Sequence, residues 1–261
     1  MKEFFGIGGY LREAEGAWSW QHMTFVSALM LVMIGLAVFL GLKNRKRDDA
    51  AKTKVMIFTA ITLLCVEAFK YTVLGIKGKL ENDPEWWTVN LPLFLCSIQM
   101  FTIPLAAFAK GRVKEAAMDF VMIFGILGAV LGTFGATQNY ANYPVISFNN
   151  VVSGLTHSIA GFASLYVMIS GLGRLKWKNM WITFAILGAV CAMALGANAW
   201  LDYNYMFLSS HDGTPYVLLW DLLGGNQTLY TIGVIALFLI YITVFYVVHI
   251  LVKNKKEKIA A

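Results

Sequence analysis

Apolar residues in this chain gather into seven stretches, each near the 20 residues that an α-helix needs to cross a hydrocarbon core. They cover residues 23–42, 55–74, 91–109, 116–136, 151–172, 180–200 and 229–251. The pattern predicts an all-α fold: one polytopic transmembrane bundle of seven helices, a single domain over residues 1–261. Polar positions between the stretches give the bundle a direction. Lys43, Arg45, Lys46, Arg47, Lys52 and Lys54 fill the first loop, Lys110, Arg112 and Lys114 the third, and Arg174, Lys176 and Lys178 the fifth. Lys253, Lys255, Lys256 and Lys258 follow the last span. With seven spans all of these fall on one side, and the other side holds only Lys2, Arg12, Lys77 and Lys79 among basic residues. Lysine and arginine collect in cytoplasmic loops, so the N-terminus is expected outside and the C-terminus in the cytoplasm, in a plasma membrane.

Composition agrees with this pattern. Of the residues, 58% are hydrophobic and 14% charged, a balance outside that of ordinary soluble domains. The net charge of +6 would suit nucleic acid, but the cations sit in short runs beside apolar segments, where topology accounts for them. No phosphate loop, dinucleotide fingerprint or zinc signature occurs, so neither nucleotide nor nucleic acid is expected as a partner, and no cofactor or metal. Cys65, Cys96 and Cys191 each lie within an apolar stretch at no disulfide or metal spacing. Residues 1–21 are too charged for a cleavable signal and are expected to stay on the outer surface. The eight tryptophans fall at span ends or in adjoining loops, where indole sits well between lipid and water.

Ionisable and amide side chains inside spans cost several kcal/mol by insertion scales and are normally turned inward and paired. The second span holds Glu67 and Lys70 at i, i+3 with Tyr71 on the same face, open to two readings: mutual neutralisation, or part of a site. In the third span Asn90, Pro92, Cys96, Ser97 and Gln99 cluster at the outward end, and helical spacing puts Pro92, Cys96 and Gln99 on one face. The fifth span carries a stripe of Ser153, His157, Gly161 and Ser164. Asn198 and Asp202 lie i, i+4 at the outer end of the sixth. The fourth and sixth spans share a small-residue pattern, Phe124 to Gly132 and Phe184 to Ala192, which fits either an internal duplication or separate needs for close packing, Gly128 and Gly132 standing at GxxxG spacing. These positions imply one polar cavity opening outward. A histidine beside a thiol is sufficient for nucleophilic chemistry, because imidazole titrates near neutral pH and raises the thiolate fraction of a cysteine.

Glu67, the run Asn90-Leu-Pro-Leu-Phe-Leu-Cys96, Thr156-His157-Ser158, Asn204-Tyr-Met-Phe-Leu208 and Trp220-Asp221-Leu-Leu-Gly224 together resemble the YwaF-like family of bacterial integral membrane proteins. That family is related to the eukaryotic transmembrane-protein-164 acyltransferases. The resemblance implies transfer of fatty acyl groups between phospholipids, with a cysteine nucleophile and a helping histidine, carried over here to Cys96 and His157. The chain departs from the bacterial pattern in having Phe94 where a histidine usually stands between proline and cysteine. In the eukaryotic register, the cysteine follows its proline directly, which would land on Leu93 and leave either His157 to activate water or a lipid hydroxyl, or a pocket that has lost the reaction.

The leading expectation is therefore a lipid acyltransferase or acyl hydrolase acting on membrane lipids. His157 and Cys96 are the catalytic candidates, and Glu67, Lys70, Asn90, Gln99, Asn198 and Asp202 bind or orient. The alternative is a non-catalytic binder or transporter of a polar solute or protons, since intramembrane ionisable groups mark such pathways too.

Overall fold

The computed structural model describes the backbone of residues 2–260 and side chains through Val252, so the tail lysines Lys253, Lys255, Lys256 and Lys258 lie outside the described side chains. Every regular element of the described residues is helical: α1 (Lys2–Phe5), α2 (Trp20–Asn44), α3 (Asp49–Glu81), α4 (Gln99–Phe108), α5 (Gly111–Leu131), α6 (Thr137–Asn142), α7 (Phe148–Ser170), α8 (Trp177–Leu201), α9 (Val217–Leu222) and α10 (Gln227–Ala260). Five of these, α2, α3, α7, α8 and α10, are long and apolar enough to cross a membrane, and they match the first, second, fifth, sixth and seventh predicted spans. The fourth is α5, with 21 residues; Arg112, Lys114, Glu115 and Asp119 in its first half keep it out of that group.

The third predicted span differs. Only Gln99–Phe108 is α-helical, 10 residues, and residues 91–98 form turns after a short 3-10 turn at Thr88–Asn90. Pro92 explains the break: it has no N–H to donate, and it drives the residue before it into extended backbone, as Leu91 shows with φ −59° and ψ 138°. The turn is held by its own bonds. Asn90 Nδ2 donates to Trp86 O (2.7 Å) and Tyr71 Oη donates to Asn90 O (2.6 Å). The expected common helical face of Pro92, Cys96 and Gln99 is thereby replaced by a turn that leads into α4.

The chain divides into two compact units, one comprising Met1–Pro92 and Cys96–Gly173, the other Leu93–Leu95 and Arg174–Ala261. In the first unit, α2 buries Val26, Met30, Met33, Ala37, Gly41 and Asn44, spaced three or four apart, a single stripe. Leu31, Val32, Leu36 and Phe39 on its other faces are exposed, as lipid contact requires. Helix α5 is buried without interruption from Ala116 to Gly125, which makes it the core of the unit. It packs tightly on α7: a Cβ on Gly125 would lie 2.6 Å from Ala160 O, and one on Gly161 2.6 Å from Ala129 Cβ, while Ser164 Oγ donates to Met122 O at 2.7 Å.

Caps fix the helix starts. Ser19, Asp48 and Ser147 accept from the amides of His22, Ala51 and Asn150, satisfying donors that the helical ladder leaves free. At one end of the unit Lys114 Nζ donates to Thr53 Oγ1 and Tyr166 Oη to Lys52 O. At the other, the N-terminal segment folds over α3 and α7: Gly8 N donates to Glu81 Oε1 (2.8 Å), Val145 N to Glu15 Oε2 (2.7 Å), and Phe4 and Phe5 meet Phe148. Within this unit the helix starts carrying Lys52 and Lys114 therefore lie opposite the N-terminal segment.

The second unit rests on α8 and α10, joined by a Thr183–Tyr246 hydroxyl contact of 3.1 Å. A Cβ on Gly188 meets nothing within 4 Å, whereas its counterpart Gly128 is closely packed, so the likeness of the fourth and sixth spans extends to composition and not to packing.

Candidate functional site

In the first unit the Cys96 thiol and the His157 imidazole lie near enough to each other to interact electrostatically. Three different elements place them. Cys96 ends the turn begun by Pro92 and stands one turn ahead of α4, whose ladder opens with Gln99 N donating to Cys96 O at 3.2 Å. His157 sits nine residues inside α7. Helix α5 passes beside both: a Cβ on Gly128 would lie 3.3 Å from Cys96 Cβ, and one on Gly132 would lie 2.0 Å from His157 Cδ2 and 2.1 Å from Nε2. The two glycines read as a packing motif are thus the floor on which the thiol and the imidazole rest.

The imidazole's orientation is fixed from its own helix. Nδ1 lies 2.7 Å from Ser153 O, a carbonyl that can only accept, so Nδ1 carries the proton and Nε2 is left with its lone pair. Ser153 Oγ is 3.3 Å from the same Nδ1. A carbonyl that holds the far ring nitrogen in this way sets which nitrogen acts as base. Nε2 is then free to take the Cys96 proton. Both Cys96 and His157 retain partial exposure.

Of the other predicted residues, Glu67 and Lys70 form an ion pair of 2.7 Å (Oε2 to Nζ), with Nζ 4.9 Å from the Tyr71 ring centroid. Lys70 is near enough to act electrostatically on His157. Gln99 is 2% exposed, its Oε1 accepting from Thr102 Oγ1 at 3.1 Å and its Nε2 without a partner. Asn90 is spent on the turn described above.

Asn198 and Asp202 belong to the second unit. Asn198 brackets one loop residue, accepting from Tyr205 N (2.6 Å) and donating to Tyr205 O (3.1 Å), and Asp202 ends α8 in left-handed backbone, φ 49°. Asn204 organises the same loop by accepting from the amides of Ser209 and Ser210. Phe94 takes its place there too, 5.7 Å from the rings of both Tyr205 and Phe207 and 6.5 Å from Tyr203. Phe94 is therefore part of an aromatic cluster.

Sequence reasoning named Ser153 only as a member of a polar stripe. Its i−4 spacing from His157 was the available signal for an orienting carbonyl. Thr102, i+3 from Gln99, was not singled out, and a threonine in an apolar helix gives little to distinguish it.

Residues 17–246 match the sequence profile of the TMEM164 family. No curated protein and no solved structure matches the chain.

Proposed function

The chain belongs to the TMEM164 family and is a multi-pass membrane protein, and from that premise we propose that it is a phospholipid acyltransferase or acyl hydrolase of the plasma membrane. The observation that carries the proposal is the meeting of Cys96 and His157 over Gly128 and Gly132 of α5, with His157 Nδ1 held by Ser153 O. In this reading His157 Nε2 removes the thiol proton, and the sulfur attacks an ester carbonyl of a membrane lipid. The tetrahedral intermediate collapses with cleavage of the C–O bond to glycerol, the leaving oxygen taking the proton from the imidazolium. The products are a lysophospholipid and a thioester on Cys96. A second hydroxyl, of a lysolipid or water, then attacks the thioester as His157 takes its proton, and the thiol is restored. Lys70, paired with Glu67, supplies a cation for the lipid phosphate.

The placement in the bilayer is part of the same proposal: seven passages, with α5 as the fourth and the turn at residues 91–98 followed by α4 as the third. Non-helical backbone at membrane depth is tolerated where protein buries it or it lines a cavity, and a reactive cysteine is a reason to have one. The arginine- and lysine-rich loops face the cytoplasm, which puts the N-terminal segment and the dyad toward the outer leaflet.

The test is lipid mass spectrometry on proteoliposomes of phosphatidylcholine holding the intact protein, Cys96→Ala or His157→Ala. Lysophosphatidylcholine or exchanged acyl chains that depend on both residues support the reading; identical lipid profiles for all three proteins overturn it.

A further inference from the structure

Thiolate attack on an ester turns the carbonyl oxygen into an oxyanion, and acyl-transfer sites meet that charge with fixed hydrogen-bond donors. The Cys96–His157 pair provides none, since the sulfur forms the bond and Nε2 handles the proton. We infer that the Gln99 side-chain amide, at the start of α4, is the oxyanion donor of this site. The inference rests on the acyl-handling reading and adds to it a third group that touches the reacting atoms.

Three observations converge on it. Gln99 is buried to 2% exposure, yet its Nε2, with two N–H donors, has no partner. A buried donor left unmade is costly, and such orphans are retained where a ligand completes them. Second, the amide is oriented: Thr102 Oγ1 donates to its Oε1 at 3.1 Å, which occupies the oxygen and leaves the nitrogen free. Third, Gln99 stands one turn after the nucleophile, its own backbone N bonded to Cys96 O at 3.2 Å. Long side chains on a helix lean back toward its N-terminus, and from Gln99 that direction is the turn carrying Cys96. The same turn offers backbone donors. The ladder of α4 begins with the amides of Gln99 and Met100, so the amides of Ser97 and Ile98 precede it and have no carbonyl within the ladder to meet. A neutral carboxamide beside such amides holds a developing negative charge without adding a titrating group.

The experiment separates this role from thiol activation. Alkylation of Cys96 by iodoacetamide displaces iodide at a saturated carbon and forms no oxyanion, whereas acylation of Cys96 by phosphatidylcholine does. Intact protein, Gln99→Leu and Gln99→Glu are reconstituted in phosphatidylcholine vesicles, and the Cys96 peptide is followed by mass spectrometry for both adducts. The expected result for Gln99→Leu is an alkylation rate within about threefold of the intact protein, which also reports a folded site, and thioester formation slower by about 10²–10³-fold, the usual effect of removing one such donor. Gln99→Glu, whose carboxylate repels the oxyanion, is expected to be at least as slow. Acylation by Gln99→Leu within threefold of the intact protein overturns the inference. So does a parallel fall in alkylation and acylation, which would mark Gln99 as structural only. Intact protein that alkylates at Cys96 but forms no thioester and releases no lysolipid overturns the acyl-handling reading itself.

Discussion

Replacing Gly132 with alanine tests the geometry of the dyad without assuming any substrate. The backbone there has φ −77° and ψ −5°, ordinary for any residue, so the added methyl acts through its volume alone. It would lie 2.0 Å from His157 Cδ2 and 2.1 Å from Nε2, where carbon atoms in contact normally stand about 3.5–4.0 Å apart. The ring must retreat by roughly 1.5 Å or α5 must move. Because Nδ1 is tied to Ser153 O at 2.7 Å, retreat means a strained rotamer, at about 0.5–1.5 kcal/mol, and a weakened hydrogen bond worth about 1 kcal/mol. Together these give a loss of about 1–3 kcal/mol, the usual size for overpacking. A base displaced by about 1 Å loses on the order of 10²-fold in rate. Gly128→Ala, whose Cβ would stand 3.3 Å from Cys96 Cβ, is expected to have a smaller effect, and Gly35→Ala, with nothing within 4 Å, none on the site. The assay is thermal unfolding in detergent together with the rate of Cys96 alkylation by iodoacetamide. The order Gly132→Ala slowest, Gly128→Ala intermediate, Gly35→Ala unchanged is the expected result. Equal alkylation rates for Gly132→Ala and Gly35→Ala would refute the placement of His157 against α5.

Other perturbations have equally definite outcomes. Asn198→Ala removes the acceptor of Tyr205 N and one of the donors to Tyr205 O and is expected to cost about 1–3 kcal/mol, read as a lowered unfolding midpoint. Phe94→His is expected to lower stability by about 1–2 kcal/mol through lost ring contacts; an unchanged midpoint would mean that the cluster contributes little. The Glu3 carboxyl is held below its ordinary value of 4.5, first by the Arg12 backbone N–H and then by that of Leu11. Its contribution is complete at neutral pH and is lost as pH falls below 4.5 and through the lowered value. Hydrogen exchange of residues 8–15 is therefore expected to speed up at acid pH in the intact protein, and Glu3→Gln to show the fast exchange already at neutral pH. A membrane-soluble maleimide is expected to label Cys65, which is exposed, and to spare the buried Cys191.

Much of this was legible because the bilayer imposes a simple rule: apolar runs of spanning length become helices, and six of seven did so, five of them long and apolar enough to cross, although α3 extends well past both of its expected limits. The third span misled because its composition is apolar while Pro92 and Asn90 dictate a turn, a local effect that a hydropathy window averages away. Among site residues, the pairing of Glu67 with Lys70 follows from i, i+3 spacing alone. The meeting of Cys96 and His157 does not, since it needs a turn and two helices far apart in sequence to be brought together, and the only local hint was the small residues Gly128 and Gly132. Asn198 illustrates the opposite case. An amide at the end of an apolar helix reads as a site residue, but a loop that must return over the helix end uses the same chemistry to bind its own backbone.

The most direct test of the central claim is peptide mass spectrometry of Cys96 after the intact protein is incubated in phosphatidylcholine vesicles and quenched in acid. The account predicts a hydroxylamine-labile acyl adduct on Cys96, absent from Cys65 and Cys191 and lost in His157→Ala. An unmodified Cys96 in a protein that nevertheless releases lysolipid, or an adduct that persists without His157, would contradict it.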